Sequence, residues 1–278
     1  MKISFLGTGA AEGVPAMFCN CAFCNSVREA GLSEMRTRSQ VLIDDDLSID
    51  FPPEAYYHAQ RDKINLSALR YILVTHSHMD HFYAHDFILR GYKYATLQED
   101  VLNIYGNAEV AKVFAECTAR EMKSIVAPHV KMNVIRPFTE LTLGHYRILA
   151  IPAEHSKSED ALLFYVEKNG KGYLHLYDTG NLSAQAVSFL KDNNAFADVV
   201  AYDCTFGNGS GNLSARHMGI DDVVKVREAL LNAGVAHKNT RSVITHFSHN
   251  CNPTAQNLAE LEKNYGVVAA YDGMIVEI

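Results

Sequence analysis

Tyr71-Ile72-Leu73-Val74-Thr75-His76-Ser77-His78-Met79-Asp80-His81 is the stretch that decides the reading of this chain. A short apolar run ends in four potential metal ligands, His76, His78, Asp80 and His81. In an extended segment residues i and i+2 share a face, so His76 and His78 point together, and a turn into a helix beyond them would carry Asp80 and His81 to a second position. Imidazole and carboxylate donors suit borderline divalent cations, Zn²⁺ above all and Mn²⁺ or Fe²⁺ as well. The plain alternative, a histidine-rich polar loop, leaves unexplained why the ligands begin where a buried strand stops.

Similar β-branched runs flank this one: KISFLG from Lys2, SQVLIDD from Ser39, LSIDF from Leu47, VLNIYG from Val101 and KMNVIRP from Lys131. They continue with YRILAIP from Tyr146, ALLFYVE from Ala161, GYLHLYD from Gly172, ADVVAYD from Ala197, RSVITHF from Arg241 and the terminal GMIVEI. Each reads as a strand. Helical periodicity marks four segments, beginning at Asn107, Ser183, Asp221 and Pro253. Strands interleaved with a few helices predict a layered α/β architecture.

The chain has 278 residues, is 48% hydrophobic and carries a net charge of −7. That is globular composition with material for a large core, and no linker, charge block or repeat divides it, so one domain over residues 1–278 is expected. No stretch reaches the roughly 18 apolar residues a membrane span needs, and no secretory signal opens the chain, so no membrane partner and a cytoplasmic location are expected. Basic residues are scattered, a poor footprint for gripping a polyphosphate backbone, and a nucleic-acid partner is disfavoured. Nothing in the sequence sets the oligomeric state; a homodimer is compatible with it.

Three of the six cysteines, Cys19, Cys21 and Cys24, lie within six residues. So close together they suit a metal better than disulfides. Cys117, in a helix-like stretch, reads as a small buried hydrophobe.

Further candidate ligands follow later strands: His155 after RILAIPAE, Asp178 after GYLHLY and His246 after RSVIT. Taken singly, each is equally a loop or turn residue. Jointly, HSHMDH, AEHS, YDTG and THFSH resemble the successive metal motifs of the metallo-β-lactamase superfamily, over nearly the whole chain. The resemblance implies a four-layer αββα sandwich. One divalent metal, zinc or manganese, would be held by His76, His78, His155 and a bridging Asp178, and a second by Asp80, His81, Asp178 and His246. Asp50 would orient loop and ligands from behind.

The segment GTGAAEGVPAMFCNCAFC narrows the field. It resembles the cyclic phosphodiesterases of the carbon–phosphorus lyase pathway, whose extra structural zinc implies Cys19, Cys21, Cys24 and His249 as ligands here, in a loop at about residues 15–27. Cys251 is an alternative fourth ligand. Also within this resemblance, Asp203 closes a strand and His217 follows a glycine-rich loop; His217 is the candidate proton donor to the leaving oxygen. The implied activity is hydrolysis of a small, cyclic sugar-phosphate or nucleotide diester by a metal-bridging hydroxide, with Asp80 and Asp178 in the catalytic set. Other branches remain open. The tRNA 3′-processing nucleases carry a protruding arm, whereas a short Lys168-Asn169-Gly170-Lys171 turn stands here, and a branch related to pyrroloquinoline quinone biosynthesis shares the cysteine-rich start. His85, one helical turn past His81, reads as a surface residue, and Arg216 as an exposed arginine able to meet a phosphate.

Overall fold

The computed structural model describes residues 1–31, 34–96, 100–209 and 216–278. Among them the strand β9 (Leu162–Lys168) illustrates how sequence becomes layer. Its side chains alternate, Leu162, Phe164 and Val166 facing one apolar cluster and Leu163 and Tyr165 another. A strand buried on both faces needs cover on both, which a second sheet and a row of helices supply.

The first sheet runs β14-β1-β2-β3-β4-β5-β6 and the second β13-β12-β11-β10-β9-β8-β7. In the first, β1 is Lys2–Gly7, β2 Gln40–Ile43, β3 Leu47–Ile49, β4 Tyr71–Leu73, β5 Leu102–Gly106, β6 Val130–Val134 and β14 Met274–Glu277. In the second, β7 is Thr139–Leu143, β8 Tyr146–Pro152, β10 Lys171–Leu176, β11 Val199–Asp203, β12 Arg241–Thr245 and β13 Val268–Ala269. Each sheet is antiparallel over one half and parallel over the other: β3 to β6 and β10 to β13 run parallel. The C-terminal ends of parallel strands are where such sheets place their ligand-binding loops.

Between the sheets lie Phe5, Ile43, Ile49, Leu73, Phe164, Tyr173 and Val243, all fully buried. Outside the second sheet pack α4 (Ala184–Asp192), α5 (Ile220–Ala233) and α6 (Ala255–Tyr265), through Ala186, Leu190, Val223, Leu230, Leu258 and Leu261. Outside the first, α2 (Ala55–Asp62) and α3 (Ala108–Thr118) contribute Ala55 and Val110. The layers are therefore helix, sheet, sheet, helix, as the sequence implied. Caps set the helix ends: Asn107 accepts from the Glu109 and Val110 amides, Ser183 from Ala186 and Thr254 from Asn257.

Some elements differ from the sequence expectation. α1 (Ala22–Ala30), α2, β7 and β13 are elements that the sequence reading does not anticipate. Beyond His78 the chain makes one hydrogen-bonded turn, the His81 and Phe82 amides both donating to the His78 carbonyl, and regular 3₁₀ structure begins only at Ala84. Cys117 is half-buried rather than core. No helix among the described residues is long and apolar enough to cross a membrane.

Candidate metal centre

The site forms where the loops after β4, β8, β10, β11 and β12 meet. Five strand ends each deliver one or more polar side chains, and the apolar residues just before them anchor those side chains from below.

Two groups of potential ligand atoms result. His76, His78 and His155 form the first, with His76 Nε2 2.8 Å and His155 Nε2 3.3 Å from His78 Nδ1. Asp80, His81, Asp178 and His246 form the second, all four buried. His81 Nε2 lies 3.2 Å from both Asp80 Oδ2 and Asp178 Oδ2, and His246 Nε2 lies 2.9 Å from Asp178 Oδ1. Asp178 of the second group also faces the first, its Oδ2 4.0 Å from His76 Nε2 and 3.9 Å from His155 Nε2. One carboxylate thus stands between two clusters.

These residues fit divalent cations. His81 Nε2, His246 Nε2 and Asp178 Oδ1 are fully buried and lack hydrogen-bond partners, although they approach neighbouring polar atoms closely. Buried polar atoms without partners are costly, and a cation between them removes that cost. The charge balance agrees. Despite burial, Asp178, Asp80 and Asp50 raise the His81 pKa well above the ordinary imidazole range, and that negative potential equally attracts a metal ion. Against the same burial, His246 and His81 hold Asp178 well below the carboxylate range.

The outward nitrogens of His76, His81, His155 and His246 are engaged. His81 Nδ1 donates to Asp50 Oδ2 at 2.6 Å, and Asp50 also accepts from the Thr75 amide at 2.8 Å. His76 Nδ1 is 3.0 Å from Thr75 Oγ1, His155 Nδ1 3.2 Å from the Arg216 carbonyl, and His246 Nδ1 2.8 Å from Thr205 Oγ1. Such contacts set the tautomer and aim the inner nitrogen. Thr75 and Thr205 have no sequence signature of their own; both roles arise from being beside a ligand on folding. Asp50 and His246 adopt left-handed backbone conformations, with φ of 63° and 62°. That conformation is strained for non-glycine residues and recurs where a site needs a side chain aimed.

His217 stacks on His246, ring centroids 5.4 Å apart and planes within 13°, and meets His155 edge-on at 4.9 Å. Its Nδ1 donates to Asp203 Oδ2 at 2.8 Å. Burial disfavours the imidazolium, but Asp203 more than offsets it and raises the His217 pKa to about 9. Part of the glycine-rich loop before it, residues 210–215, lies outside the described residues. Arg216 is exposed and enters the site through its carbonyl. His85 is exposed beside Tyr83 and joins neither cluster.

Besides these and an overlapping group of Asp178, Asp203, His217 and His246, a separate group unites Cys19, Cys21, Cys24 and His249. His249 Nδ1 lies 3.4 Å from Cys24 Sγ and 3.9 Å from Cys21 Sγ. The Cys24 amide, with His249 and Cys19, lowers the Cys21 thiol to about 6, whereas burial raises Cys24 to about 11. Cys251 stands apart from this group, its Sγ donating to the Ser248 carbonyl at 3.1 Å and packing against Gly207. The segment just before the cysteine loop meets the His246 segment, the Ala10 amide donating to the Phe247 carbonyl, the Phe247 amide to the Thr8 carbonyl and Ser248 Oγ to Glu12 Oε1 at 2.5 Å.

Residues 41–247 match the family model of the β-lactamase superfamily domain. The chain belongs to the β-lactamase superfamily. Solved structures agree at the level of the fold. A diphosphatase of the PhnP family superposes with a TM-score of 0.72 at 22% identity, covering 100% of this chain and 98% of that one. Zinc-bound PqqB from Methylobacterium extorquens gives 0.71 at 18%, covering both chains completely. Human tRNase Z, short form, gives 0.70 at 16%, covering 100% and 99%. An octanoyltransferase of Porphyromonas gingivalis is 33% identical over 85 residues, which are 29% of this chain and only 16% of that protein. The β-lactamase superfamily is one of metal-dependent hydrolases, and the clusters above are the groups of this chain that could hold metal ions.

Proposed function

We propose that this protein is a dinuclear metal-dependent phosphodiesterase acting on a small cyclic sugar-phosphate or nucleotide diester. The observation that carries the reading is the place of Asp178 in the second cluster with its Oδ2 within 4.0 Å of His76 and His155 of the first, beside a His217 that is held by Asp203, stacked on His246 and edge-on to His155.

His76, His78, His155 and Asp178 would hold one metal, and Asp80, His81, Asp178 and His246 the other. Bound there, two divalent ions make a bound water acidic enough to be a nucleophile near neutral pH and polarise phosphoryl oxygens. The chain's own residues do the rest. Asp203 accepts from His217 Nδ1 and so fixes the ring, which leaves Nε2 to protonate the departing oxygen. Asp50, Thr75 and Thr205 hold the ligand rings in one tautomer and orientation. Zinc in the Cys19, Cys21, Cys24 and His249 set would fasten the N-terminal loop beside His246, a closed tetrahedral set with no position for water.

A small substrate is favoured over tRNA. β9 and β10 are joined by a two-residue turn, Asn169 and Gly170, both with positive φ, where an arm would otherwise protrude, and the chain's net charge is −7.

The test is a leaving-group comparison. His217→Ala should lower turnover of a diester with an alkoxide leaving group by about 10²–10⁴-fold, while an activated aryl diester changes far less. Equal, wild-type rates on both would remove His217 from the acid role. Pre-tRNA cleavage in the same assay would favour the nuclease reading, and metal binding without any diester cleavage a non-phosphate branch.

A further inference from the structure

The segment His76-Ser77-His78 carries two candidate ligands of the first cluster, and the residue between them is held by a carboxylate from another loop. The Ser77 amide donates to Glu159 Oε2 at 3.0 Å, and Ser77 Oγ donates to Glu159 Oε1 at 2.8 Å. Glu159 lies four residues past His155, the third member of that cluster. Its carboxylate is itself fixed, since Asn107 Nδ2 donates to Oε2 at 2.8 Å and to the Asp160 carbonyl at 3.1 Å, while Asn107 Oδ1 caps α3. Asn107 is 2% exposed, so the anchor is rigid.

We infer that Glu159 is a positioning residue that locks the His76 and His78 loop to the His155 loop and so sets the metal affinity of the first cluster. The second cluster has a support of its own in the Asp50 carboxylate that holds His81 Nδ1, whereas the hydrogen bonds described for Glu159 come from Ser77 and Asn107. Ser77 sits at a bend between the two ligands, beyond the end of β4, so a bidentate hold on its amide and hydroxyl fixes the backbone from which both flanking imidazoles project. Losing an orienting partner of metal ligands typically lowers affinity 10–100-fold.

The hold is geometric rather than a matter of charge, and this separates it from a general attraction of cations to an anionic residue. In Glu159→Gln the amide oxygen can take the Oε2 position and accept from the Ser77 amide and Asn107, while the amide NH₂ at the other position meets a Ser77 hydroxyl that rotates to accept. Every bond survives and the charge is gone.

The inference rests on the metal reading above but not on any substrate. Its test is a Mn²⁺ titration of the intact protein followed by the EPR signal of free Mn²⁺, a hard ion that leaves thiolate sites largely unoccupied. His78→Ala identifies which of the two affinities belongs to the first cluster, and thermal unfolding of chelated protein checks the fold of each variant. The expected result is a 10–100-fold weaker first site in Glu159→Ala, recovery to within about threefold in Glu159→Gln, a smaller loss in Ser77→Ala, and a second site unchanged within about threefold. Unaltered binding by Glu159→Ala, equal weakening of both sites, or a Glu159→Gln as weak as the alanine variant would overturn it. A wild-type chain that takes up no Mn²⁺ at either cluster would instead sink the metal reading itself.

Discussion

Asp50→Asn isolates the tautomer argument at the second cluster. Asp50 is 0% exposed and accepts from the Thr75 amide, the Thr75 hydroxyl and His81 Nδ1. Removing the side chain strands three buried donors, each costing about 1–3 kcal/mol, so Asp50→Ala should forfeit a large share of the roughly 5–15 kcal/mol that keeps a domain folded. Asparagine is gentler. Its amide oxygen can serve both Thr75 donors, but its NH₂ then faces His81 Nδ1, 2.6 Å away in the parent contact. A nitrogen facing a donor must accept, which moves the imidazole proton to Nε2, the atom 3.2 Å from Asp80 and Asp178. That atom can then no longer bind a cation without a further proton transfer. The substitution should lower affinity at the second cluster about 10–100-fold, or roughly 1.4–2.8 kcal/mol, while chelated protein loses only about 2 kcal/mol, an estimated 4–8 °C in Tm. Mn²⁺ titration paired with thermal unfolding reads both. An Asp50→Asn protein that binds both metals within threefold of wild type would refute the tautomer argument, and one that fails to fold would refute the claim that asparagine satisfies Thr75.

Two further expectations concern stability. Gly172 lies in β10 where a Cβ would stand 1.9 Å from the Phe196 carbonyl and 2.7 Å from Tyr165 Oη, so Gly172→Ala should cost about 3 kcal/mol or more in urea unfolding; a loss under about 1 kcal/mol would mean the strand shifts freely. His58 is buried between Gln40 Oε1 and Thr37 Oγ1, each 2.7 Å from a ring nitrogen, and burial with help from Arg61 lowers its pKa from 6.5 to about 3. Because the unfolded chain binds the proton first, this contribution is complete above pH 6.5 and is lost as pH falls toward 3, amounting to about 1.4 kcal/mol at pH 5.5. Wild type should therefore lose about that much more than His58→Gln between pH 7.5 and 5.5, and parallel losses would contradict a neutral His58.

The fold and most of the candidate site were legible because their signals are local. HSHMDH packs four ligands behind one apolar strand, and β9 to β12 are long enough for alternation to register. Elements with few large apolar residues were not legible: α1 buries only Cys24 and Val27, α2 only Ala55, His58 and Ala59, and β13 spans just two residues. Glu159 was missed for a different reason. Its partner Ser77 is 82 residues away, and a lone glutamate between Asp160 and Ser158 looks like any polar loop residue until folding joins the two loops. The grouping of His249 rather than Cys251 with the three cysteines likewise needs three dimensions, since both lie in one 3₁₀ turn, His249–Cys251, which turns the Cys251 thiol back to the Ser248 carbonyl.

Metal content and diester hydrolysis, measured on the same preparation of wild type and Asp178→Ala, test the central claim most directly. The account predicts three metals per wild-type chain, one resistant to chelation, with cleavage of bis(p-nitrophenyl) phosphate and of a five-carbon sugar 1,2-cyclic phosphate lost on stripping and restored on reloading. Asp178→Ala should retain the resistant metal, fail to hold both labile ones and lose activity with them. Hydrolysis that survives stripping, or an Asp178→Ala protein that binds two labile metals and cleaves as wild type does, would contradict it.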